Sequence, residues 1–368
     1  MPIQELNVEG YRSIRRIRLP FRRINVLVGP NGCGKTNLYK SMLLLFGAAR
    51  GELARMLVEE GGIPSAMWAG ARKRDERVRM SLSVTLDNLS YELTCGVPKP
   101  AGSMFDLDPE IKSETVHFLE GRHRLPLLER GIGSVSARDA EGRRVSYPMS
   151  LSTSESVLSQ LREPHRFPQL SALRQELLNW RFYHQFRTDP DSPLRHPQVG
   201  FRTPVLSHDG RDLAAALQTI REIGDPLALD QAVDRAFPGA SLEIGGEDAR
   251  FSLALCLPEF KRPMQARELS DGTLRYLCLL AALLSPRPPA VLALNEPETS
   301  IHPDLLEPLA ELIVSASEHS QLWVTTHSHQ LAGAIECLSG AKPVRLEKVA
   351  GATRIAGAPE FDLGDGKE

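Results

Sequence analysis

The stretch Gly29-Pro30-Asn31-Gly32-Cys33-Gly34-Lys35-Thr36 decides the reading of this chain. It matches the pattern G-x-x-x-x-G-K-[ST], and the pattern carries weight only between a strand and a helix. Both flanks comply: the apolar run INVLV (24–28) reads as a strand, and NLYKSMLLLF (37–46) has the apolar density of a buried helix. Glycines at these positions let successive backbone N–H groups turn toward phosphate, and the helix N-terminus adds the positive end of its dipole. Lys35 is expected to reach β- and γ-phosphates, and the Thr36 hydroxyl to meet Mg²⁺. The expected nucleotide contacts are therefore Gly29, Pro30, Asn31, Gly32, Cys33, Gly34, Lys35, Thr36 and the adjoining Asn37. A glycine-rich turn that merely caps a helix would not require this lysine and threonine.

Working outward, two continuous apolar runs, AVLALNE (290–296) and QLWVTTH (321–327), each end in a polar residue. Central parallel strands are apolar on both faces, and their C-terminal ends line sites. Glu296 at such a tip can take a proton from water beside a γ-phosphate, and His327 at the next tip can hydrogen-bond that phosphate. Upstream, Leu269-Ser270-Asp271-Gly272-Thr273 precedes LRYLCLLAALL, a helix apolar all round and therefore buried. A helix end like this binds anions, yet the loop at 29–36 already cradles its own phosphates. A second phosphate-binding end suggests a second molecule.

The rest of the chain bounds these readings. It has 368 residues, 42% hydrophobic and 24% charged, with a net charge of −2, as in an ordinary soluble protein of about two domains or one domain carrying a large insertion. Cys33, Cys95, Cys256, Cys278 and Cys337 show no CxxC spacing, which argues against a zinc site or a disulfide framework and for a reducing cytoplasm. No run reaches the ~18 apolar residues of a membrane span, and the N-terminus lacks the apolar core of a signal peptide. We therefore expect an α/β protein in four parts: lobe I over 1–97, an inserted region of short helices and loops over 98–205, lobe II over 206–350, and a flexible tail over 351–368.

The order of P-loop, LSDGT, strand with E-P-E-T-S-I-H-P, and T-H-S resembles the ATPase heads of the RecF/SMC-like and overcoming-lysogenization-defect-like group, as do the opening G-Y-R-S and the N following G-K-T. The resemblance covers residues 1–50 and 207–335. It implies a P-loop NTPase fold with an ABC-type two-lobe head, cofactors ATP and Mg²⁺, and a homodimer in the ATP state. It also implies that Leu269, Ser270, Asp271, Gly272 and Thr273 act as a signature on nucleotide bound to the opposite copy. Glu296, His327 and Lys35 would be the catalytic residues, Arg12 and Ser13 would lie near the nucleotide, and a glutamine from the insertion, for which Gln160 is the candidate, would join Thr36 and Asn295 at the metal.

One departure stands out: Asn295 occupies the place where the pattern usually has Asp before the catalytic Glu. An amide keeps an acceptor oxygen and loses a charge, so weaker metal binding is expected. The resemblance implies an ATP-driven switch in DNA repair or phage defence, with DNA and a separately encoded effector as candidate partners. A slow-hydrolysing ATP sensor is the competing reading, supported by Asn295. The arginines at 12, 15, 16, 18, 22 and 23, followed by Arg72, Lys73, Arg74, Arg77 and Arg79, are the thin support for DNA. The long spacing between P-loop and signature argues against a transporter subunit.

Overall fold

The computed structural model describes residues 1–71, 79–99, 102–147 and 151–357. Arg72, Lys73, Arg74 and Arg77 of the second basic run, and positions 358–368, lie outside the described residues.

A six-stranded sheet forms the centre, in the order Arg181–Tyr183, Val291–Asn295, Gln321–Thr326, Ile24–Val28, Val344–Val349, Ala352–Ile355. The first five run parallel and the last returns antiparallel. Val291–Asn295 is buried at every position, which is why it reads as an unbroken apolar run. Because the strands are parallel, Tyr183, Asn295, Thr326 and Val28 all finish at one edge. That edge carries the site.

An eight-stranded antiparallel sheet makes lobe I, ordered Ile14–Pro20, Ile3–Tyr11, Arg79–Leu86, Leu89–Gly96, Glu110–Glu120, His123–Gly131, Ser134–Arg138, Arg144–Tyr147. Its core includes the buried face of helix Lys35–Arg50, through Leu38, Met42 and Leu45. A second core surrounds helix Asp271–Leu283 and includes Leu213, Leu217 and Ile220 of helix Leu213–Ile223 and residues of the small sheet built on Ser241–Glu247 and Arg250–Cys256. Two cores give the two lobes.

Positions 98–205, expected as short helices and loops, hold four of these strands between 110 and 147 as well as helices Val157–Gln160 and Pro168–Leu178. The alternation in Glu110–Glu120 is broken by Glu114, a fully buried carboxylate in a place where a hydrophobe would mark the inward face. Tyr91 and Ser156 hydroxyls and the Val157 N–H donate to it, and Arg130 lies 3.6 Å away. Burial pushes its pKa up despite these donors. The tail expectation also changes, since Ala352–Ile355 is a strand with Thr353 buried.

Candidate functional site

Strand Ile24–Val28 delivers the chain into the glycine-rich loop, and helix Lys35–Arg50 begins at once behind Gly34, whose φ of 109° is left-handed. A Cβ on Gly34 would overlap the Thr353 hydroxyl, so glycine is required by backbone shape and by space. Lys35 is 3% exposed, and its Nζ donates to the carbonyls of Gly29 (2.6 Å) and Pro30 (3.3 Å).

The same Nζ lies 3.3 Å from His327 Nδ1, and His327 Nε2 lies 2.9 Å from Glu296 Oε1. An ammonium only donates and a carboxylate only accepts, so His327 carries its proton on Nε2 and accepts at Nδ1. Lysine, imidazole and carboxylate thus form one chain across three strand ends. Glu296 has φ 51°, an unfavourable conformation for a residue with a Cβ, held by its N–H to Thr325 O at 2.8 Å. Glu298 turns the other way: its Oε1 accepts from the N–H groups of His327 (2.7 Å) and Ser328 (3.2 Å), bracing the neighbouring strand end.

Asn295 is 3% exposed. Its Oδ1 accepts from Thr325 Oγ1 at 2.7 Å and its Nδ2 donates to His184 Nδ1 at 2.8 Å. Sequence reasoning missed His184. Burial pushes its imidazole below the ordinary range, Lys40 adds to the fall, and Glu296 opposes it. The signal was positional: His184 directly follows strand Arg181–Tyr183, the parallel neighbour of Val291–Asn295, and so opens onto the same edge.

Gln160 is not at this edge. Its amide is engaged by local backbone, accepting from Ser152 N and donating to Glu155 O and Ser156 O. Its neighbour Ser159 packs against Gly51, just past the C-terminal end of the P-loop helix. Sixteen residues of helix, about 24 Å, separate that end from Lys35. The VLSQ stretch is a single helical turn that anchors the insertion, and in this structure its glutamine amide is committed to the backbone around it instead of the strand ends that carry Asn295 and Glu296.

Arg12 and Ser13 lie beside the loop. Asn37 Nδ2 donates to Ser13 Oγ, which is 2.7 Å from Thr353 Oγ1, and Arg12 pairs with Glu60 at 2.7 Å. They border a cleft of about 480 Å³ shared with Gly32, Asn37, Ala69 and Lys348. A second cavity, about 270 Å³, lies away from the loop, behind the signature.

Ser270 caps helix Asp271–Leu283, its Oγ accepting from Thr273 N at 3.1 Å. Ser270 and Asp271 are exposed, whereas Leu269 is buried and anchors the turn. Gly272 is needed because a Cβ there would overlap the carbonyl of Ser300, and Arg275 Nη1 donates to Thr299 O at 3.1 Å. The signature is therefore packed against the loop that follows Glu296.

Among the described residues no group of three or more His, Cys, Asp or Glu is arranged to hold a metal. The oxygen donors expected there, the Thr36 hydroxyl and the Asn295 amide oxygen, suit Mg²⁺, which keeps waters and takes phosphate oxygens instead of demanding a protein cage. No helix among the described residues is long and apolar enough to cross a membrane.

A glycine-rich loop between a central parallel strand and a helix, in a two-lobe head with a capped helix behind the S-D-G turn, defines a P-loop NTPase fold of the ABC/SMC-head type. The family described as "AAA domain, putative AbiEii toxin, Type IV TA system" matches residues 24–332, and the chain belongs to it. Among solved structures, an Smc head bound to the C-winged helix domain of ScpA is similar at 15% identity, covering 96% of this chain and 97% of that one, with a TM-score of 0.54. An Smc head domain with an extended coiled coil, bound to the C-terminal domain of ScpA and derived from Pyrococcus furiosus, is similar at 14% identity, covering 96% and 95%, with a TM-score of 0.52. At these identities the likeness is one of fold. No curated protein sequence matches the chain.

Proposed function

We propose that this protein hydrolyses ATP in a nucleotide sandwich between two copies of itself and uses the closing and opening of that pair as a switch. The chain of contacts from Lys35 through His327 to Glu296 carries the reading. It lines up a cation for the β- and γ-phosphates, an imidazole for the γ-phosphate and a carboxylate for water. Lys35 would exchange the carbonyls of Gly29 and Pro30 for phosphate oxygens, a stronger charge-assisted pairing. Glu296 would accept the proton of a water that attacks the γ-phosphorus as the bond to the β–γ bridging oxygen breaks, and His327 would hold the departing phosphate.

Mg²⁺, when bound with the nucleotide, would neutralise phosphate charge and be held by Thr36, with Asn295 contributing through the second lone pair of Oδ1. The exposed Ser270 and the half-buried Gly272, at a helix N-terminus, suit the γ-phosphate of the opposite copy.

The test is Glu296→Gln. ATP binding should stay within about twofold, turnover should fall at least ~100-fold, and light scattering should show mass doubling with ATP. A variant that stays monomeric at saturating ATP would sink the sandwich.

Asn295 supports the second reading, a slow sensor acting on a separate effector, because its amide is already engaged by Thr325 and His184. Turnover per active site separates the two. DNA, as in repair or phage defence, receives less support: Arg12, Arg16 and Arg18 are paired with Glu60, Glu9 and Glu5. Affinity for duplex that falls steeply with salt would reinstate it.

A further inference from the structure

We infer that Arg195 is a positioning residue that shapes the signature loop for the opposite copy's nucleotide, and that the segment from His184 to Arg195 ties that loop to the strand end at Asn295. The inference rests on the sandwich reading above.

The Arg195 side chain is only 11% exposed, and all three guanidinium nitrogens are used. Nη1 donates to the carbonyls of Leu269 (2.8 Å), Arg267 (3.2 Å) and Ala266 (3.4 Å), Nη2 to Asp271 Oδ1 (2.6 Å), and Nε to Thr188 O (2.8 Å). Four of these five acceptors belong to the six residues 266–271 that lead into the signature helix. They curve around one planar donor group, which fixes where Ser270 and Gly272 present themselves. Asp271 would add little as an exposed ion pair. Its part is to complete a fork that only a guanidinium can fill, since an ammonium has neither the planarity nor the reach to serve these carbonyls together.

Arg195 reaches the signature from the other site. Strand Arg181–Tyr183 runs beside Val291–Asn295, and His184 then accepts from Asn295. The chain between His184 and Arg195 is braced on itself: Ser192 Oγ donates to Arg187 O, Ser192 N to Asp189 O, and Arg195 N to Ser192 O. Phe186 is buried and packs against Gly210, pinning the middle of the segment. In a pair of copies, one end of this strap meets the copy's own nucleotide and the other end meets its partner's. Such a strap couples occupancy of the two sites.

The test places Arg195→Ala and Arg195→Lys in the full chain, alone and in the Glu296→Gln background. ATP affinity by calorimetry should stay within about twofold. ATP-driven dimerisation should weaken at least tenfold, and kcat should fall at least tenfold with KM within twofold, Arg195→Lys recovering less than half of the loss. Amide exchange over 266–273 should quicken in both variants while exchange in helix Lys35–Arg50 does not. If Glu296→Gln alone fails to dimerise with ATP, the sandwich reading falls and this inference with it. If it dimerises and the Arg195 variants match it, or if they lose ATP affinity in step with turnover, the sandwich stands and Arg195 is only structural.

Discussion

The phosphate loop and the signature loop are both glycine-bearing turns that start a helix, yet they are held in different ways. The phosphate loop is braced from several sides by residues distant in sequence: His327 on Lys35, and Thr353 on Gly34 and Ser13. The signature loop stands at the surface with Ser270 and Asp271 exposed, held by Arg195 from one side and by Ser300 and Thr299 from the other. The first arrangement suits a site complete within one chain; the second suits a surface finished by something that arrives. Damage at the first should be visible in the isolated copy, and damage at the second only in the pair.

Lys35→Ala is the severest way to press that difference. It removes a buried cation surrounded by carbonyls that need it, so ATP affinity measured by calorimetry should drop at least ~100-fold. Equal affinity would remove the phosphate reading altogether. Gly272→Ala presses the other end. The added methyl overlaps the Ser300 carbonyl, and relieving such a clash costs about 1–3 kcal/mol. ATP binding should be unchanged while turnover and ATP-driven dimerisation fall about tenfold; a parallel loss of binding would erase the distinction between the two loops.

Asn295→Asp tests whether the first site is as self-contained as its contacts imply. From sequence, a carboxylate here is expected to lower the Mg²⁺ requirement. In the folded chain it would face His184 Nδ1, and the nearest positive charge it can create is on that imidazole. Half-saturating Mg²⁺ should therefore move less than about threefold, while NMR should show the His184 imidazole taking its proton at higher pH than in the parent chain. A large metal shift with His184 untouched would make position 295 a principal metal ligand, not the minor one that an amide engaged by Thr325 and His184 can be.

The smallest effect is acid sensitivity. His184 and His208 both have pKa values lowered, by burial first, so the folded chain resists protonating them while the unfolded chain does not. Their contribution is intact above the ordinary imidazole value of about 6.5 and is lost as pH falls through the lowered folded values. The melting temperature should fall below about pH 6, and His184→Gln should flatten that slope without altering stability at pH 8.

What could be read from the sequence follows the same division. Val291–Asn295 and Gln321–Thr326 are buried on both faces, and such strands announce themselves as apolar runs whatever surrounds them. The loop at 29–36 and the S-D-G turn are local patterns and were equally legible. The strands from 110 to 147 were not, because an antiparallel sheet with one wet face shows only alternation, and the buried Glu114 breaks it. His184, Arg195 and Thr353 are single residues whose meaning comes from partners 111, 76 and 340 positions away. No local pattern could mark them.

The return strand Ala352–Ile355 has a consequence for how the protein is made. Its threonine closes over a loop synthesised more than three hundred residues earlier, and the central strand Ile24–Val28 waits for neighbours at 321–326 and 344–349. On the ribosome the antiparallel lobe can pair as it emerges, whereas the phosphate loop stays open-sided until residues 344–355 have been translated. Contacts this distant fold slowly. A nascent chain therefore carries its best-defined sequence motif in an unfinished form until Thr353 has emerged to close over it.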